Sequence, residues 1–281
     1  GTYPPGSVFK LLVAAAGLHF EIFPRHKTVY CPGVYRLGRG VYRCWKEHGH
    51  GRMDLHEAIK QSCDVYFYTL GHELGIDRLS GYAQRNGFGR KTGVDLAGEC
   101  AGLVPDREWK LRRFGEKWQG GETVILSIGQ GYMLATPLQT ARYVAALVNG
   151  GDLLKPKLSL YEPVRKQGHL QLSDQDRKFV LRAMVAAVEE PHGTAWRLRT
   201  PGAVIGGKTG TAQVVKLTEE SRGKEPEEMP YEHRDHAWMA AFGQKDGKKY
   251  VAVVLIEHGG HGSSAAGPVV KSIFDYLFSE L

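Results

Sequence analysis

The chain has 281 residues, of which 42% are hydrophobic and 24% charged, and its formal net charge is +7. This globular composition gives enough length for one large core or for two lobes that share a cleft. No run of eighteen apolar residues occurs, which excludes a membrane-spanning helix, and no Lys/Arg run with interleaved aromatic residues occurs, which disfavours nucleic-acid binding. The positive charge then favours an anionic membrane surface or substrates that carry carboxylates.

The first residues, GTYPPGSVFK, contain no signal peptide and do not resemble the start of a natural protein. We therefore expect the chain to be a segment of a longer protein, with any targeting or anchoring element upstream. The apolar pattern of residues 8–18 predicts a helix that opens at a Pro-Gly-Ser turn, with Ser7 in its first turn.

The next stretch, residues 24–52, is rich in Gly, Pro, aromatic residues and cysteine, and it predicts a loop with a short hairpin. Helix-start signals follow at an acidic cap, at a proline in the first-turn position and at a Ser-Asp pair. The predicted helices cover residues 54–74, with a break near Ser62, residues 137–147 and residues 173–189.

The pattern changes after residue 200, where β-branched runs replace the helical periodicity. Gly247 separates two of these runs and predicts a hairpin. Residues 216–236 are charged and without periodicity, and they predict a long loop. The predicted strands cover 203–215, 237–243 and 250–257, and an amphipathic helix over 269–281 follows. The fold class is therefore α+β, with a helical lobe before an antiparallel sheet that is backed by a helix.

Ser7 and Lys10 place a hydroxyl and an amine three residues apart at the start of a helix. At this spacing the two side chains share one face and are expected within hydrogen-bond reach of each other. A serine hydroxyl is inert at neutral pH unless an adjacent base takes its proton. A lysine is such a base only when burial or a neighbouring cation lowers its pKa. Alone, Ser-x-x-Lys is more often a capped helix with a surface lysine.

Two further motifs follow along the chain. Ser62, Cys63 and Asp64 lie at the break between two predicted helices, where a hydroxyl can project into a cleft. Lys208-Thr209-Gly210 lies in a predicted strand whose glycines allow a ligand to approach the strand edge closely. Each motif alone is compatible with an ordinary turn or strand. The combination of Ser-x-x-Lys, a Ser-x-Asn-like turn and Lys-Thr-Gly, in this order, is typical of penicillin-binding proteins and β-lactamases.

The resemblance extends beyond these motifs. Segments over nearly the whole chain resemble the transpeptidase domain of penicillin-binding protein 2, the class B, elongation-type family of bacterial cell-wall synthesis. They read YPPGS at 3–7, GHGRMDL at 49–55, YFYTLGHELGIDRL at 66–79, VPDREWK at 104–110, IGQGYMLATPLQ at 128–139 and KTGTAQV at 208–214. The resemblance implies the penicillin-binding/β-lactamase-like transpeptidase fold and a single domain over 1–281. Its helical lobe covers about 15–195, and its sheet lobe covers about 1–14 and 196–281.

The resemblance also implies the chemistry. Ser7 attacks the penultimate D-alanine carbonyl of a peptidoglycan stem peptide and releases D-alanine, while Lys10 takes the Ser7 proton. Ser62 and Lys208 relay a proton to the leaving amine. An amine of a neighbouring strand then attacks the acyl-enzyme and forms a cross-link, and no cofactor takes part. β-Lactams mimic the acyl-D-Ala-D-Ala end and stall the enzyme at the acyl stage.

The other implied site residues bind the substrate or tune the charge. Thr209, Gly210 and Thr211 hold the terminal carboxylate, and the backbone N–H groups of Ser7 and Thr211 form the oxyanion hole. Asp64 stands where many penicillin-binding proteins carry Asn, and it changes the electrostatics around Lys10. The implied location is the periplasmic face of the bacterial inner membrane, with an upstream helix as the anchor and a membrane glycosyltransferase of the elongation machinery as a partner.

One departure from the family concerns the sheet. Family domains contribute two strands from before the nucleophile helix, and this chain starts too late to contain them. We therefore expect a sheet with an unprotected edge.

Three alternative functions stay open at this point. A class A β-lactamase would need a Glu four residues before an Asn, and Tyr and Ala stand there before Asn86 and Asn149. A β-lactamase that uses a carbamylated lysine and a D,D-carboxypeptidase share the motifs found here. The intact set of nucleophile and lysines argues against a catalytically silent scaffold or β-lactam sensor.

Three of the four cysteines define a candidate metal site. Cys31, Cys44, His50 and Cys63 form the pattern C-x12-C-x5-H-x12-C, which lacks the close Cys-x-x-Cys pair of common zinc modules. Some elongation-type relatives carry a metal at this place, which implies a structural zinc ion here, with His48 as a substitute ligand. A disulfide among these cysteines, or buried thiols with neither metal nor disulfide, also stays open.

Overall fold

A computed structural model describes residues 1–215 and 226–279 of the chain. The α-helices in these ranges are α1 (Lys10–His19), α2 (Leu55–Lys60), α3 (Asp64–Arg85), α4 (Arg107–Phe114), α5 (Gly120–Leu126), α6 (Pro137–Val148), α7 (Asp174–Glu189) and α8 (Gly267–Ser279). The strands are β1 (Val29–Cys31), β2 (Val34–Leu37), β3 (Gly40–Arg43), β4 (Gly51–Met53), β5 (Asp152–Leu154), β6 (Lys166–His169), β7 (Val204–Ala212), β8 (His236–Lys245) and β9 (Lys248–Ile256). This mixture confirms the α+β prediction.

The main sheet is antiparallel and has the order β7-β8-β9. Lys208 pairs with Ala240 in one ladder, and Ala240 pairs with Val253 in the other. The central strand β8 is buried along most of its length because helices cover both of its faces, α8 on one and α6 on the other. The predicted hairpin at Gly247 is confirmed, and β9 has no further strand partner among the described residues. The expectation that the sheet lacks two strands of the family stays a prediction.

The helix α1 forms the centre of the helical part. Nine of its ten residues are buried, and it contacts α2, α3 and α7. A helix that is apolar all round is stable only inside a core, and three consecutive alanines, Ala14, Ala15 and Ala16, let its neighbours approach. The core therefore fixes the position of Lys10, the first residue of α1.

Several predicted boundaries differ from the structure. The helix predicted to end at residue 74 continues to Arg85, although Gly75 interrupts it with a non-helical φ of 74° and ψ of 160°. The apolar residues Leu79 and Tyr82 extend it because both are fully buried in the core. The loop predicted over 24–52 contains two small antiparallel pairs, β1–β4 and β2–β3, rather than one hairpin. The helices α4 and α5 were not predicted, although Asp106 and Gln119 cap them.

The C-terminal predictions hold with shifted ends. The strand predicted over 203–215 is the shorter β7, and the strand predicted from residue 237 begins one residue earlier as β8. The loop predicted over 216–236 lies partly outside the described residues, and its described part contains short 3-10 turns. The last predicted helix starts earlier, as α8, and its final two positions are not among the described residues. Over the ranges that the structure describes, no helix is both long and apolar enough to cross a bilayer.

Candidate active site and the adjoining cysteine cluster

Ser7 lies in a 3-10 turn, Gly6–Phe9, that leads directly into α1. Gly6 has a φ of 55°, and a Cβ atom there would lie 2.6 Å from the backbone oxygen of Thr211. The Gly6 N–H donates to the Gly129 carbonyl at 2.9 Å. Only glycine therefore permits this close approach, which places the half-buried Ser7 beside the end of β7.

The Lys10 side chain is fully buried and reaches the turn between α2 and α3. Its Nζ donates to Asp64 Oδ1 at 2.6 Å, to Ser62 Oγ at 3.1 Å and to the Ser62 carbonyl at 3.0 Å. The expected hydrogen bond between Ser7 and Lys10 is not among those formed by the described residues, because these three acceptors take the three donors of the ammonium group. Ser7 Oγ is therefore free of a hydrogen bond within the described part of the protein.

Lys208 approaches Ser62 from β7. Its Nζ donates to Ser62 Oγ at 2.8 Å and to the Thr209 carbonyl at 3.0 Å, and the side chain is fully buried. Ser62 itself has a φ of 56°, in the left-handed region that a non-glycine residue occupies only when its surroundings require it. This strained backbone turns the hydroxyl so that Ser62 Oγ lies between the two lysine amines.

The charges of this cluster do not balance. Burial and the nearby Lys10 charge hold the pKa of Lys208 well below the ordinary value for lysine. Burial also raises the pKa of the Asp64 carboxyl, while the Lys10 ammonium beside it acts in the opposite direction. One carboxylate cannot neutralise two buried ammonium groups, so the lowered pKa of Lys208 favours a neutral amine at one end of the chain Lys10–Ser62–Lys208.

The threonines of the Lys-Thr-Gly strand lie at the open side of this cluster. Thr209 and Thr211 are two residues apart and therefore point to the same face of β7, where both are half-buried. Thr209 Oγ1 donates to Thr194 Oγ1 at 3.1 Å, and Gln130 Nε2 donates to the Thr211 carbonyl at 3.2 Å. Gln130 lies in the segment 128–139 that resembles the family, and no role was predicted for it.

Thr194 was also missed, because it stands in the loop after α7 with no motif around it. Its N–H and hydroxyl donate to the Lys60 carbonyl at 3.3 and 3.4 Å, which links the α2 end to β7. Only the tertiary structure brings Lys60, Thr194 and Thr209 together.

The four candidate metal ligands meet on the far side of Ser62. One ligand atom from each of Cys31, Cys44, His50 and Cys63 lies within 4.8 Å of every other. His50 Nδ1 is 3.6 Å from the Cys31 sulfur and 3.5 Å from the Cys44 sulfur. All three cysteines are buried, and each is a free thiol in this structure. The structure therefore brings together the four residues singled out from the sequence, and His48 is not in the cluster.

The thiols also influence one another. Hydrogen bonds with the Cys44 and Cys63 thiols lower the pKa of Cys31, whereas contacts with Cys31 and Cys44 raise the pKa of Cys63. Negative charge is thus favoured on the Cys31 sulfur and opposed on the Cys63 sulfur.

Trp45, the neighbour of Cys44, connects the cysteine cluster to the catalytic turn. Its backbone N–H donates to Asp64 Oδ2 at 2.8 Å, and its indole Nε1 donates to the Gln61 and Ser62 carbonyls at 3.1 and 3.0 Å. The indole ring packs edge-on against His50, with a centroid distance of 5.3 Å. One tryptophan therefore contacts both sets of functional side chains.

Comparisons with known proteins find relatives that are similar over nearly the whole chain. The chain is 38% identical to the peptidoglycan D,D-transpeptidase MrdA of Acinetobacter baumannii over 98% of this chain and 42% of the relative. It is 35% identical to MrdA of Haemophilus influenzae over 100% of this chain and 45% of the relative. The chain thus spans less than half the length of these relatives.

Solved structures are similar as well. The structure of Pseudomonas aeruginosa PBP2 in complex with WCK 5153 has a TM-score of 0.85 and 38% identity, and the match covers 99% of this chain and 61% of that one. PBP2 in its complex with MreC from Helicobacter pylori has a TM-score of 0.87 and 37% identity, over 100% of this chain and 51% of that one. Residues 1–275 match the family described as the penicillin binding protein transpeptidase domain, and the chain belongs to that family.

Proposed function

We propose that the chain is the catalytic part of a peptidoglycan D,D-transpeptidase that acts in cell elongation and cell shape, with Ser7 as its nucleophile. Relatives named peptidoglycan D,D-transpeptidase support this proposal. The observation that carries it is the buried, hydrogen-bonded chain Lys10–Ser62–Lys208, which starts three residues after Ser7 where the 3-10 turn leads into α1. Such a chain can move protons to and from a nucleophile that has no other base.

The proton transfers follow from the two ends of this chain. Lys10 can accept the Ser7 proton only after its own excess proton has left, and Ser62 Oγ connects its amine to that of Lys208. Lys208 accepts that proton because its lowered pKa keeps part of the population neutral. Ser7 Oγ then bonds to the penultimate D-alanine carbonyl carbon as its proton passes to Lys10. The bond to the terminal D-alanine breaks, and the proton returns through Ser62 to the leaving amine.

The remaining site residues would bind the developing oxyanion and the terminal carboxylate of the stem peptide. The carbonyl oxygen becomes negative as Ser7 attacks, and the adjacent backbones of Ser7 and Thr211 would supply the N–H donors for it. Thr209 and Thr211 present two hydroxyls, beside the small Gly210, to the terminal carboxylate of the stem peptide. Thr194 and Gln130 would hold these two threonines in place.

The alternatives receive no support from a specific observation. Asn86, the residue nearest to a class A β-lactamase pattern, is buried and donates to the Tyr82 carbonyl, which is a structural role. Asp64 is paired with Lys10 and Trp45, so it is not positioned as a free base for a hydrolytic water. Transfer to an amine acceptor, with β-lactams as covalent inhibitors, is the function that we propose.

We further propose that Cys31, Cys44, His50 and Cys63 hold a structural zinc ion. Three sulfurs and one imidazole nitrogen match the ligand types of closed structural zinc sites, and a divalent cation would allow all three thiols to ionise despite their mutual influence. A closed site leaves no position for substrate, so the metal takes no part in the reaction. Its contribution is to fix the loop around residues 31–50 against the turn that carries Ser62.

The proposed location is the periplasmic face of the bacterial inner membrane, with an anchor upstream of the residues present here. A solved relative is a complex of PBP2 with MreC, and another is described as a peptidoglycan synthase complex that coordinates polymerization and crosslinking. We therefore propose that a membrane glycosyltransferase supplies the glycan strands whose stem peptides this protein cross-links.

The experiment that tests the proposed function is the exposure of wild-type protein and Ser7→Ala to penicillin, followed by intact mass measurement. Wild type is expected to gain the mass of one penicillin, and Ser7→Ala is expected to gain none while its circular dichroism stays unchanged. A labelled alanine variant would show that another residue is the nucleophile. Incubation of wild type with a stem peptide and an amine acceptor then separates transpeptidation, which yields the amide product, from carboxypeptidase activity, which yields only the shortened acid.

A further inference from the structure

A polar cavity lies away from the proposed catalytic groups, at the opposite end of α3 from Asp64. It has a volume of about 250 Å³. Its lining comes from the end of α3 and the loop after it, from α6 and from the hairpin β5–β6. The lining residues are Arg85, Gly87, Arg90, Lys91, Arg142, Leu153, Gln167 and Gly168. Four of these side chains are cationic and none is acidic.

Arg142 forms the base of this cavity. The residue is 9% exposed, and its Nε donates to the Leu154 carbonyl at 2.8 Å. No described residue accepts a hydrogen bond from its two terminal Nη groups. Gly87 makes room for the guanidinium, because a Cβ atom at this position would lie 3.1 Å from Arg142 Nη1. An arginine that is buried for most of its length and whose terminal donors open into a cavity is suited to bind an oxyanion.

The cations at the rim are held by neutral acceptors. Arg85 Nε donates to Gln171 Oε1 at 2.6 Å, and Arg90 donates to the Gln84 carbonyl. None of the four cations forms a salt bridge with a described residue. The nearby Glu99 carboxylate accepts hydrogen bonds from the Thr92 hydroxyl and from two backbone N–H groups, and, against the effect of burial, these bonds together with the Lys91 charge lower its pKa.

The like charges affect one another. Burial and the positive charge of Arg90 lower the pKa of Arg142, with Glu99 acting weakly in the opposite direction. Positive charges that converge on one cavity repel one another, and a bound anion would relieve this repulsion.

We propose that this cavity binds a small, multiply charged oxyanion of the diphosphate or polycarboxylate class. The planar guanidinium of Arg142 would bind two oxygens of one phosphate or carboxylate group, and Arg85, Arg90 and Lys91 would bind the rest. The volume accommodates more than one such group, and four cations favour more than one negative charge. This site is independent of the proposed reaction, because Arg85 and Asp64 stand at opposite ends of α3.

The test is titration calorimetry of the wild-type protein with inorganic pyrophosphate and, separately, with citrate, both at one fixed low ionic strength. We expect saturable binding of at least one of the two probes with a stoichiometry of one. Pyrophosphate alone would assign the phosphate class, and citrate alone would assign the carboxylate class. Arg142→Gln and Arg90→Gln are each expected to weaken binding by roughly tenfold or more, since each removes charge-assisted hydrogen bonds.

The matched control is Arg112→Gln, which removes the same charge from an exposed arginine on α4 that pairs with Glu108. This variant is expected to bind like wild type. Arg90 is exposed, so its variant tests the cavity even where Arg142→Gln does not fold. The proposal is overturned if neither probe binds, or if the cavity variants and the control lose affinity to the same extent.

Discussion

The turn Ser62–Cys63–Asp64 separates two clusters of buried polar groups that differ in one respect. On the catalytic side, protein groups alone satisfy Ser62 and Asp64, through Lys10, Lys208 and the Trp45 N–H. On the cysteine side, three thiols cluster with the His50 imidazole, whose Nδ1 contacts two of them, and His50 Nε2 is buried with no hydrogen-bond partner among the described residues. The first cluster is complete as a proton-transfer network, whereas the second has a surplus of donor atoms that a cation would use. Because one turn carries both, a change on either side should be detectable on the other.

The largest expected effect comes from the catalytic side. Lys10→Ala removes the ammonium that contacts Ser62 and Asp64, and we expect acylation by penicillin to slow by roughly 10²–10⁴-fold, the usual value of general-base catalysis. Lys10→Arg should be nearly as slow, because a guanidinium does not give up its proton. Stopped-flow or quenched mass measurements of the acylation rate constant provide the check.

Lys60→Met is a suitable control for the loss of a buried lysine. Lys60 pairs with Glu57 and Glu190 and contacts no catalytic side chain, so its removal should lower stability far more than acylation. An arginine variant of Lys10 that acylates at the wild-type rate would eliminate Lys10 as the base.

The pH dependence of the acylation rate should report the protonation of Lys208. Below its folded-state pKa, Lys208 is protonated and cannot accept a proton through Ser62. As the pH rises through that pKa, the neutral amine forms and the acylation rate rises, by up to about tenfold per pH unit. Because burial and Lys10 lower this pKa, the rise should be complete well below the ordinary lysine value of 10.5. A wild-type profile that levels off only near that ordinary value would contradict this account, and Lys208→Arg should show no such rise.

The sequence singled out the candidate catalytic residues more readily than the contacts between them. Three short motifs and a family resemblance were enough to select Ser7, Lys10, Ser62 and Lys208, because these residue types are required by the chemistry. The family resemblance implied that Asp64 lies near Lys10, but local helix spacing favoured Ser7 as the hydrogen-bond partner, and only the folded turn places Asp64 within 2.6 Å. Helix α3 was predicted too short for a similar reason, because burial of the residues after Gly75 outweighs the local break.

The cysteine cluster was predicted from the family resemblance and not from the spacing of its residues. The spacing of Cys31, Cys44, His50 and Cys63 lacks a close pair, so nothing in the local sequence requires them to meet. They meet because β1 pairs with β4, which places Cys31 opposite Gly51 and next to His50. The positive φ of Gly33 and Gly49 allows this, since a Cβ at Gly49 would lie 2.1 Å from the Cys31 carbonyl oxygen. Such long-range pairing is a property of the fold.

Disturbance of the cysteine side should have a smaller but transmitted effect. Cys31→Ser, or removal of the metal with a chelator, should lower the midpoint of thermal unfolding and slow acylation together. A displacement of Ser62 by about 1 Å can cost on the order of 10²-fold in rate, so we expect a loss of up to that size. Added Zn²⁺ should restore both properties after chelation but not in the variant.

Cys100→Ser is the matched control, because Cys100 is exposed and lies outside the cluster. It should retain the metal content, the stability and the acylation rate of wild type. Metal analysis of protein purified without added zinc decides the matter. Substoichiometric metal together with a disulfide between two of the three clustered cysteines would refute the zinc site and leave the catalytic assignment unchanged.

The smallest expected effect isolates the connection between the two sides. Trp45→Phe retains the backbone N–H that donates to Asp64, and it removes only the indole Nε1, which donates to the Gln61 and Ser62 carbonyls. The Ser62 carbonyl keeps Lys10 as a donor, so the cost should be about 1 kcal/mol, the typical value of one hydrogen bond, and the thermal midpoint should fall by roughly 2–4 °C.

Acylation should slow by less than about tenfold, because the strained Ser62 loses one of its restraints while both lysines remain. Metal content should not change, since none of the four proposed ligands is replaced and phenylalanine keeps an aromatic ring beside His50. Trp196→Phe serves as the control, because Arg197 is the only ring partner of this exposed tryptophan among the described residues, and the change should affect neither property. If Trp45→Phe acylates as fast as wild type although its stability falls, the indole supports the fold alone, and the two sides are connected through the Ser62–Asp64 backbone instead.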